Sequence, residues 1–382
     1  MAYFDNAATT FPKPDVVYTA MDNFYRNHGG SAGRGNYELA ETASGLIMET
    51  RSLIQGLIHC PAKQVIFEPT ATISLNIIIQ GLIRKGLKHF YISPFEHNAV
   101  TRPLHYYEKN GMITVHQLYV SENLEYDLER IRYQFDSCKP DAVIVSHASN
   151  VIGLIAPIEK IFTLAKKYDA VTVADMAQTA GLVDTNVGLE CFDFAVFAGH
   201  KTLYGPTGIS GFVMKPDFDL PPILFGGTGF DSSNPDMPDQ LPEKFEMGTL
   251  NISGIAGLNA AIKWINRIGI DELWNKEKSN YIRMINLVNR YDFLQIKGYS
   301  ENQKYVGIIS CVMDKISSDI AGSIFANNHI SVRNGLQCAP FAHQFLHTFP
   351  SGTIRFSTSF FSSDLDWDSL QTCLEYIEED YM

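Results

Sequence analysis

The feature that most constrains this chain is a run of short apolar segments that alternate with helical patterns. Seven such segments lie at 64–67, 89–93, 113–120, 141–145, 171–174, 194–197 and 209–214. Helical patterns separate several of them, at 71–83, 98–109 and 157–167. Strands joined by helices predict an α/β fold, with a mostly parallel seven-stranded sheet covered by helices on both faces.

The pattern changes from about residue 253. Helices are predicted at 254–268, 272–289, 317–327 and 364–381, with strands at 306–313 and 353–356. A chain of 382 residues commonly divides into two domains. We therefore predict a large domain over 1–252 and a smaller α+β domain over 253–382. The segment 220–242, rich in Pro, Gly, Ser and Asp, is predicted to be a long loop between them.

Charge and cysteine content exclude several classes of protein. The chain carries 30 Lys and Arg against 42 Asp and Glu, a net charge of −12, which argues against direct nucleic-acid binding and against a basic membrane-surface helix. No apolar stretch approaches the roughly 20 residues that span a bilayer. The six cysteines form no CxxC pair and are too sparse for a disulfide scaffold. We expect a soluble cytoplasmic protein with reduced cysteines, most of them in the core.

Polar side chains follow five of the predicted strands. In an open α/β sheet, ligands bind beyond the carboxyl ends of the strands. Each residue also has a structural explanation: a threonine can cap a helix, a histidine can be buried and hydrogen-bonded, and a lysine can lie at the surface. The residues at these strand ends are Thr70, Ala71, Thr72, His97, Ser146, Asn150, Asp175, Gln178, His200 and Lys201.

The sequence lacks the motifs of several common nucleotide-binding, hydrolase and metal-binding sites. No G-x-x-x-x-G-K-[ST] loop and no G-x-S-x-G elbow occurs. Cys338, His343 and His347 are close in sequence, but their spacing is not a standard zinc pattern, so we predict no metal site.

Pyridoxal phosphate unites the polar strand ends. This cofactor needs a lysine for a covalent link, an acid opposite its pyridine nitrogen and a cradle for its phosphate. Lys201 and Asp175 follow neighbouring predicted strands, and the ring of His97 is available to stack on the cofactor.

The same residues lie in motifs that resemble a known family. Segments at 3–10, 71–72, 96–98, 149–153, 174–178, 199–201 and 352–357 are similar, in order, to those of the class V aminotransferase branch of fold-type I enzymes. Within that branch the chain resembles cysteine desulfurases and selenocysteine lyases. The resemblance implies a fold-type I transferase, whose N-terminal segment 1–30 packs with the small domain.

The resemblance also implies roles for individual residues. Lys201 matches the lysine that links to pyridoxal phosphate, and His97 the stacking and acid–base histidine. Arg355, Asn150 and Arg333 match positions that hold the substrate carboxylate. Thr249 matches a threonine that reaches the phosphate of a neighbouring subunit, which implies a homodimer. The remaining cofactor positions are Asp175 at the pyridine nitrogen, Gln178 at the phenolic oxygen, and Ala71, Thr72 and His200 at the phosphate.

A segment at 332–340 is similar to the loop that carries the sulfur-accepting cysteine in desulfurases. By this resemblance Cys338 attacks the substrate sulfur and becomes a persulfide. The interval of 17 residues between Cys338 and Arg355 resembles the branch with a compact loop. Two positions depart from the family: Ala198 replaces a frequent phosphate-binding serine, and Leu336-Gln337 replaces a frequent His-His pair. The second departure leaves the activation of Cys338 and the choice between sulfur and selenium open.

We therefore predict a cysteine desulfurase that converts L-cysteine to L-alanine and passes sulfur to an acceptor protein. The alternatives are a selenocysteine lyase, another class V reaction on an amino acid, or a non-catalytic sulfur carrier on the same fold.

Overall fold

A computed structural model describes residues 1–32, 35, 37–229 and 233–382. The described part of the chain forms thirteen strands and eleven helices. The strands are β1 (Ala2–Tyr3), β2 (Gln64–Glu68), β3 (His89–Ile92), β4 (Thr114–Gln117), β5 (Ala142–Ser146), β6 (Val171–Asp175), β7 (Phe194–Ala198), β8 (Ser210–Met214), β9 (Leu294–Lys297), β10 (Ile308–Met313), β11 (Ile330–Ser331), β12 (Arg333–Gly335) and β13 (Thr353–Ser357). The helices are α1 (Asp15–His28), α2 (Glu38–Leu57), α3 (Ala71–Arg84), α4 (Asn98–Lys109), α5 (Leu128–Ser137), α6 (Ile158–Lys166), α7 (Ile252–Ile268), α8 (Ile270–Val288), α9 (Ser318–Asn327), α10 (Pro340–Phe345) and α11 (Asp364–Tyr381).

The main sheet has seven strands in the order β2-β8-β7-β6-β5-β3-β4. Only β8 runs antiparallel to its neighbours, β2 and β7. The sheet is buried on both faces: on β5, Val143 and Val145 pack into one core, while Ala142 and Ile144 pack into the other. This two-sided burial explains why its strands read as continuous apolar runs, and the predicted α/β fold with a mostly parallel seven-stranded sheet is confirmed.

A second sheet, antiparallel throughout, has the order β12-β13-β10-β9. The N-terminus joins this part of the molecule, because β1 pairs with β11 and Asp5 bridges to Ser357. Helix α1 packs against α7. The domain boundary at 252/253 stays a prediction.

The structure differs from the sequence-based expectation in several elements: helices α1, α2, α5 and α10 and the two-residue strands β1 and β11 were not predicted. The strand expected over 113–120 is shorter, since β4 covers only Thr114–Gln117. Strands β9 and β12 were missed, because each has at most four residues and little apolar character. Among the described residues, no helix combines the length and apolarity needed to cross a bilayer.

Candidate active site

A cavity of about 370 Å³ opens beyond the carboxyl ends of the strands in the main sheet. Its walls come from the N-terminal segment, from the polar strand ends, and from the hairpin and loop around β12 and β13. Of the predicted site residues, only Thr249 is absent from its lining. The predicted residues that line it are Ala71, Thr72, His97, Asn150, Asp175, Gln178, His200, Lys201, Arg333, Cys338 and Arg355.

Asp175 and Lys201 are close enough for their charges to interact, because Asp175 ends β6 and Lys201 lies shortly after the end of the parallel neighbour β7. Burial raises the pKa of Asp175, although the Ala177 N–H donates to its Oδ1 at 3.0 Å. Burial lowers the pKa of Lys201 to about 8, partly opposed by the charge of Asp175. A lysine with such a pKa exchanges its proton near neutral pH.

His97 caps the start of α4. Its Nδ1 accepts a hydrogen bond from the Ala99 N–H at 3.0 Å, so the neutral ring carries its proton on Nε2. Burial, with the charges of Lys201 and Arg102, lowers the pKa of His97 to about 4. The ring is therefore neutral at physiological pH.

The start of α3 and His200 line the cavity and offer groups that can bind an anion. Thr70 caps α3 through a hydrogen bond from the Ile73 N–H at 3.2 Å, which leaves Ala71 and Thr72 in the first turn facing the cavity. Free N–H groups and the helix dipole favour an anion there. The buried Nδ1 of His200 has no hydrogen-bond partner in the described part of the chain.

Two arginines converge on a single carboxylate at the opposite end. Arg355 is 3 % exposed, and its Nη2 donates to Asp5 Oδ1 at 2.8 Å. The Nη2 of Arg333 lies 2.9 Å from Asp5 Oδ2. A guanidinium has five N–H donors, and Arg355 uses one more on the backbone oxygen of Asn150 at 2.7 Å. Its buried Nε has no partner among the described residues.

Asp5 was missed as a site residue. Its only sequence signal is its position in the opening motif at 3–10. By neutralising part of the Arg333–Arg355 pair, Asp5 sets how strongly this end of the cavity attracts a carboxylate.

Hydrogen bonds to its backbone carbonyls hold the loop that carries Cys338 in place. Gln337 and Cys338 both have left-handed conformations, with φ values of 40° and 58°. The Asn98 N–H donates to the Cys338 carbonyl at 2.7 Å, and Asn150 Nδ2 donates to the Gln337 carbonyl at 2.7 Å. The thiol-bearing residue is exposed, unlike the buried Cys60, Cys191, Cys311 and Cys373.

The side chain of Gln337 turns away from the cysteine and into the protein. Its Oε1 lies 2.8 Å from His343 Nε2, and its Nε2 donates to the Thr353 carbonyl at 3.0 Å. Burial lowers the pKa of His343 to about 4, so this imidazole is neutral. Gln337 therefore anchors the loop and offers no acid–base group to Cys338.

A buried carboxylate behind the cavity was also missed. Glu96 is fully buried and accepts hydrogen bonds from Ser93 Oγ at 2.6 Å and from Ser146 Oγ and N–H at 2.7 Å. Burial raises its pKa to about 7. Glu96 ties the segment before His97 to the end of β5, which fixes where the histidine stands.

Thr249 lies in a different cavity of about 690 Å³, lined also by Ala32, Ser44, Arg51 and Gly227. Within one chain it does not meet the other predicted residues, and its role toward a neighbouring subunit stays a prediction.

The cavity suits a planar cofactor with an anionic group. Asp175 can face a pyridine nitrogen, since its carboxylate accepts a single hydrogen bond within the described part of the chain. The unpartnered His200 Nδ1 and the start of α3 can take a phosphate. Gln178 keeps one amide hydrogen free, because a single hydrogen bond, to the Ala7 carbonyl at 2.9 Å, uses the other.

Comparison with known proteins identifies the family of this chain. The family model described as "Aminotransferase class-V" matches residues 2–370. This chain belongs to the class V aminotransferase family. Enzymes of the family depend on pyridoxal phosphate.

Relatives that match nearly the whole chain include proteins from two organisms. A probable cysteine desulfurase from Pyrococcus abyssi is 31 % identical over 99 % of this chain and 93 % of its own length. One from Methanothermobacter thermautotrophicus is 30 % identical over 98 % and 94 %. The apo structure of a cysteine desulfurase from Thermococcus onnurineus NA1 has a TM-score of 0.88 at 27 % identity, covering 99 % of this chain and 94 % of that one.

Proposed function

We propose that this class V enzyme is a cysteine desulfurase that uses pyridoxal phosphate to convert L-cysteine to L-alanine, with the sulfur retained on Cys338. The observation that carries the proposal is an exposed cysteine in the same cavity as Lys201 and Asp175. Full-length similarity to proteins named as cysteine desulfurases supports it.

Pyridoxal phosphate, when bound in the cavity, supplies an electron sink for bonds to the substrate α-carbon. Asp175 would hold its pyridine nitrogen, Gln178 would donate to its phenolic oxygen, and His97 would stack on its ring. Its phosphate would be held by Ala71, Thr72 and His200. In a dimer, Thr249 of the neighbouring subunit would add a further contact.

Lys201 is the group that moves the substrate α-proton in this proposal. With a pKa near 8, its Nζ is available as a base in a substantial fraction of molecules at neutral pH. The same buried amine can return the proton when alanine forms.

Arg355, Asn150 and Arg333 would hold the substrate carboxylate. The planar guanidinium of Arg355 suits two-point recognition of a carboxylate. Since the whole chain is acidic, with a net charge of −12, attraction of an amino-acid anion depends on this local cluster.

Cys338 would act as a thiolate on the substrate sulfur. A bond forms between Cys338 Sγ and the substrate sulfur as the Cβ–S bond breaks. The electron pair of the broken bond stays on Cβ and takes up a proton, which yields alanine. Lys201 and Arg355 are close enough for their charges to interact with Cys338. Exposure of Cys338 lets an acceptor protein reach the persulfide, and a reducing compartment such as the cytoplasm suits its turnover.

The test is an assay of the purified protein, loaded with pyridoxal phosphate, for alanine and sulfide from L-cysteine in the presence of a dithiol that reduces the Cys338 persulfide. We expect Lys201→Ala and Cys338→Ala to lose alanine production by at least about 100-fold, because each removes a group needed in the reaction. Cys373→Ala, which alters a buried cysteine outside the cavity, is the matched control and should keep it. Desulfuration by Cys338→Ala at the wild-type rate would refute the mechanism.

Selenocysteine lyase is the second candidate, and the orientation of Gln337 favours it, since no imidazole occupies the position before Cys338. The same variants assayed with L-selenocysteine separate the two functions. Selenide release without Cys338, together with inactivity on L-cysteine in the wild type, would favour the lyase.

A further inference from the structure

A second group of reactive side chains lies at one edge of the main sheet, apart from the cavity. His89 begins β3, His116 lies on β4, and Cys138 follows α5. In the parallel register His89 pairs with Thr114 and Tyr91 pairs with His116. Residues two apart on a strand share a face, so both imidazoles lie on the face against which Cys138 packs. None of the three lines the active-site cavity.

The three side chains converge through one atom each. Cys138 Sγ lies 3.4 Å from His89 Nδ1 and 3.7 Å from His116 Nε2, and the two nitrogens are 3.5 Å apart. Zinc binds imidazole nitrogen at about 2.0–2.1 Å and thiolate sulfur at about 2.3 Å in a tetrahedron, so its ligand atoms stand roughly 3.3–3.6 Å apart. The observed triangle is close to one face of that tetrahedron.

A neighbouring aromatic residue holds the side chain of His116 and the backbone of Cys138. The ring of Tyr91 stacks on His116, with centroids 4.5 Å apart and planes 17° from parallel. Its hydroxyl donates to the Cys138 carbonyl at 2.8 Å. Such outer contacts orient metal ligands before the ion arrives. All three side chains are only partly buried, so an ion can enter from solvent.

We propose that His89, His116 and Cys138 form a binding site for a divalent transition metal ion, with Zn²⁺ the best match. Imidazole and thiolate are the ligands that zinc prefers. Cys138 releases its thiol proton to solvent when the ion binds. Three protein ligands leave the fourth position for water or an added ligand.

The bound ion would crosslink structural elements at the edge of the main sheet. β4 is the terminal strand of the main sheet, and the ion would tie it to β3 and to the end of α5. An ion that binds only the folded chain raises its stability. The sequence did not reveal this site, because its members are 27 and 22 residues apart and match no metal motif.

The test uses the full chain, free of any affinity tag, treated with a chelator and carrying Cys338→Ser so that the loop thiol cannot bind metal. We expect one equivalent of Zn²⁺ per chain by competition with a chromophoric chelator, and an increase in melting temperature. Co²⁺ in place of Zn²⁺ should give the intense visible bands of tetrahedral cobalt with a thiolate ligand.

Cys138→Ser in the same background is the deciding variant, and His116→Gln is the second. Loss of an outer-shell partner alone weakens metal binding by about 10–100-fold, so loss of a ligand should weaken Zn²⁺ binding by more than about 100-fold and abolish the thermal shift. A background protein that binds no Zn²⁺, or Cys138→Ser that binds it as tightly as the background, would overturn the proposal. Circular dichroism of each variant, with a fold as in the background, assigns the loss to the ligand.

Discussion

The two walls of the cavity are built in different ways. The wall with Asp175 and Lys201 is made of residues that directly follow buried parallel strands, so the backbone of the main sheet sets their positions. The wall with Cys338 and Arg355 depends on side chains reaching across the chain: Asn150 to the Gln337 carbonyl, and Arg355 to Asp5. On the first wall, we therefore expect substitution of a single functional group to change the rate of the reaction directly. Function on the second wall should respond also to the residues that hold the loop.

The largest loss of activity is expected from Asp175→Asn, on the wall of the cavity that is formed by the strand ends of the main sheet (the sheet wall). The substitution keeps the shape but removes the charge opposite the cofactor nitrogen. Loss of one preorganised group at the reacting centre costs about 100–1000-fold in kcat, which alanine production would measure. Asp169→Asn is a matched control, since Asp169 is exposed in an ion pair and has a left-handed φ that asparagine tolerates. An equal loss in both variants would contradict the role of Asp175.

On the other wall, Arg355→Lys should raise KM for L-cysteine by about 10–100-fold, since hydrogen bonds to charged groups contribute about 1.5–3 kcal/mol. Lysine cannot reproduce the planar fork. Arg333→Lys is the comparison: Arg333 is 49 % exposed and an exposed ion pair contributes about 0–1 kcal/mol, so KM should change by less than about fivefold. A larger increase in KM for Arg333→Lys than for Arg355→Lys would indicate that Arg333 is the main contact of the substrate carboxylate.

Gln337→Ala tests whether the cysteine loop depends on a buried side chain. It would remove the partner of His343 Nε2 and the side-chain donor to the Thr353 carbonyl, which costs about 1–3 kcal/mol of unfolding free energy. Urea denaturation measures the change. The exposed Gln344, on α10, offers Gln344→Ala as control, and equal stability of the two variants would show that Gln337 does not anchor the loop.

The pH dependence of cofactor uptake tests the sheet wall again. Burial disfavours the charged amine, so the pKa of Lys201 falls to about 8 and its reactive neutral form increases as pH rises toward 8. We expect the rate at which the apo-enzyme takes up pyridoxal phosphate, followed by absorbance, to rise by about tenfold per pH unit below 8 and to level off above it. A rate still rising near pH 10 would indicate a lysine with an ordinary pKa.

The smallest effect is expected from Ala198→Ser, which restores a hydroxyl at the cavity. One added hydrogen bond contributes about 0.5–1.5 kcal/mol, so the affinity for pyridoxal phosphate should increase by about 2–10-fold. Ala195→Ser, on the same strand but inside the core, should give no such gain. Titration of both apo-proteins distinguishes them.

The two walls also differ in how far the sequence predicts them. Asp175 and Lys201 were predicted from position alone, because strand ends of a parallel sheet meet at one edge. Cys338 and Arg355 were singled out through resemblance to a family, since the strand predicted at 353–356 did not by itself assign a role to Arg355 and no pattern marked the loop of Cys338. Asp5 and Glu96 were missed as parts of the site. Their partners lie 350 and 50 residues away, and no local periodicity reports such contacts. The cluster of His89, His116 and Cys138 was invisible for the same reason.

The hydrogen bond between Asp5 and Arg355 has a consequence for how the protein folds during its synthesis on the ribosome. The chain is made from its N-terminus, and its domains tend to fold as they emerge. Asp5 leaves the ribosome before its partner Arg355, which follows 350 residues later, and β1 likewise cannot pair until β11 has emerged. The substrate pocket therefore cannot close on a nascent chain. We expect that no cysteine is consumed until the segment that contains Arg355 has emerged from the ribosome.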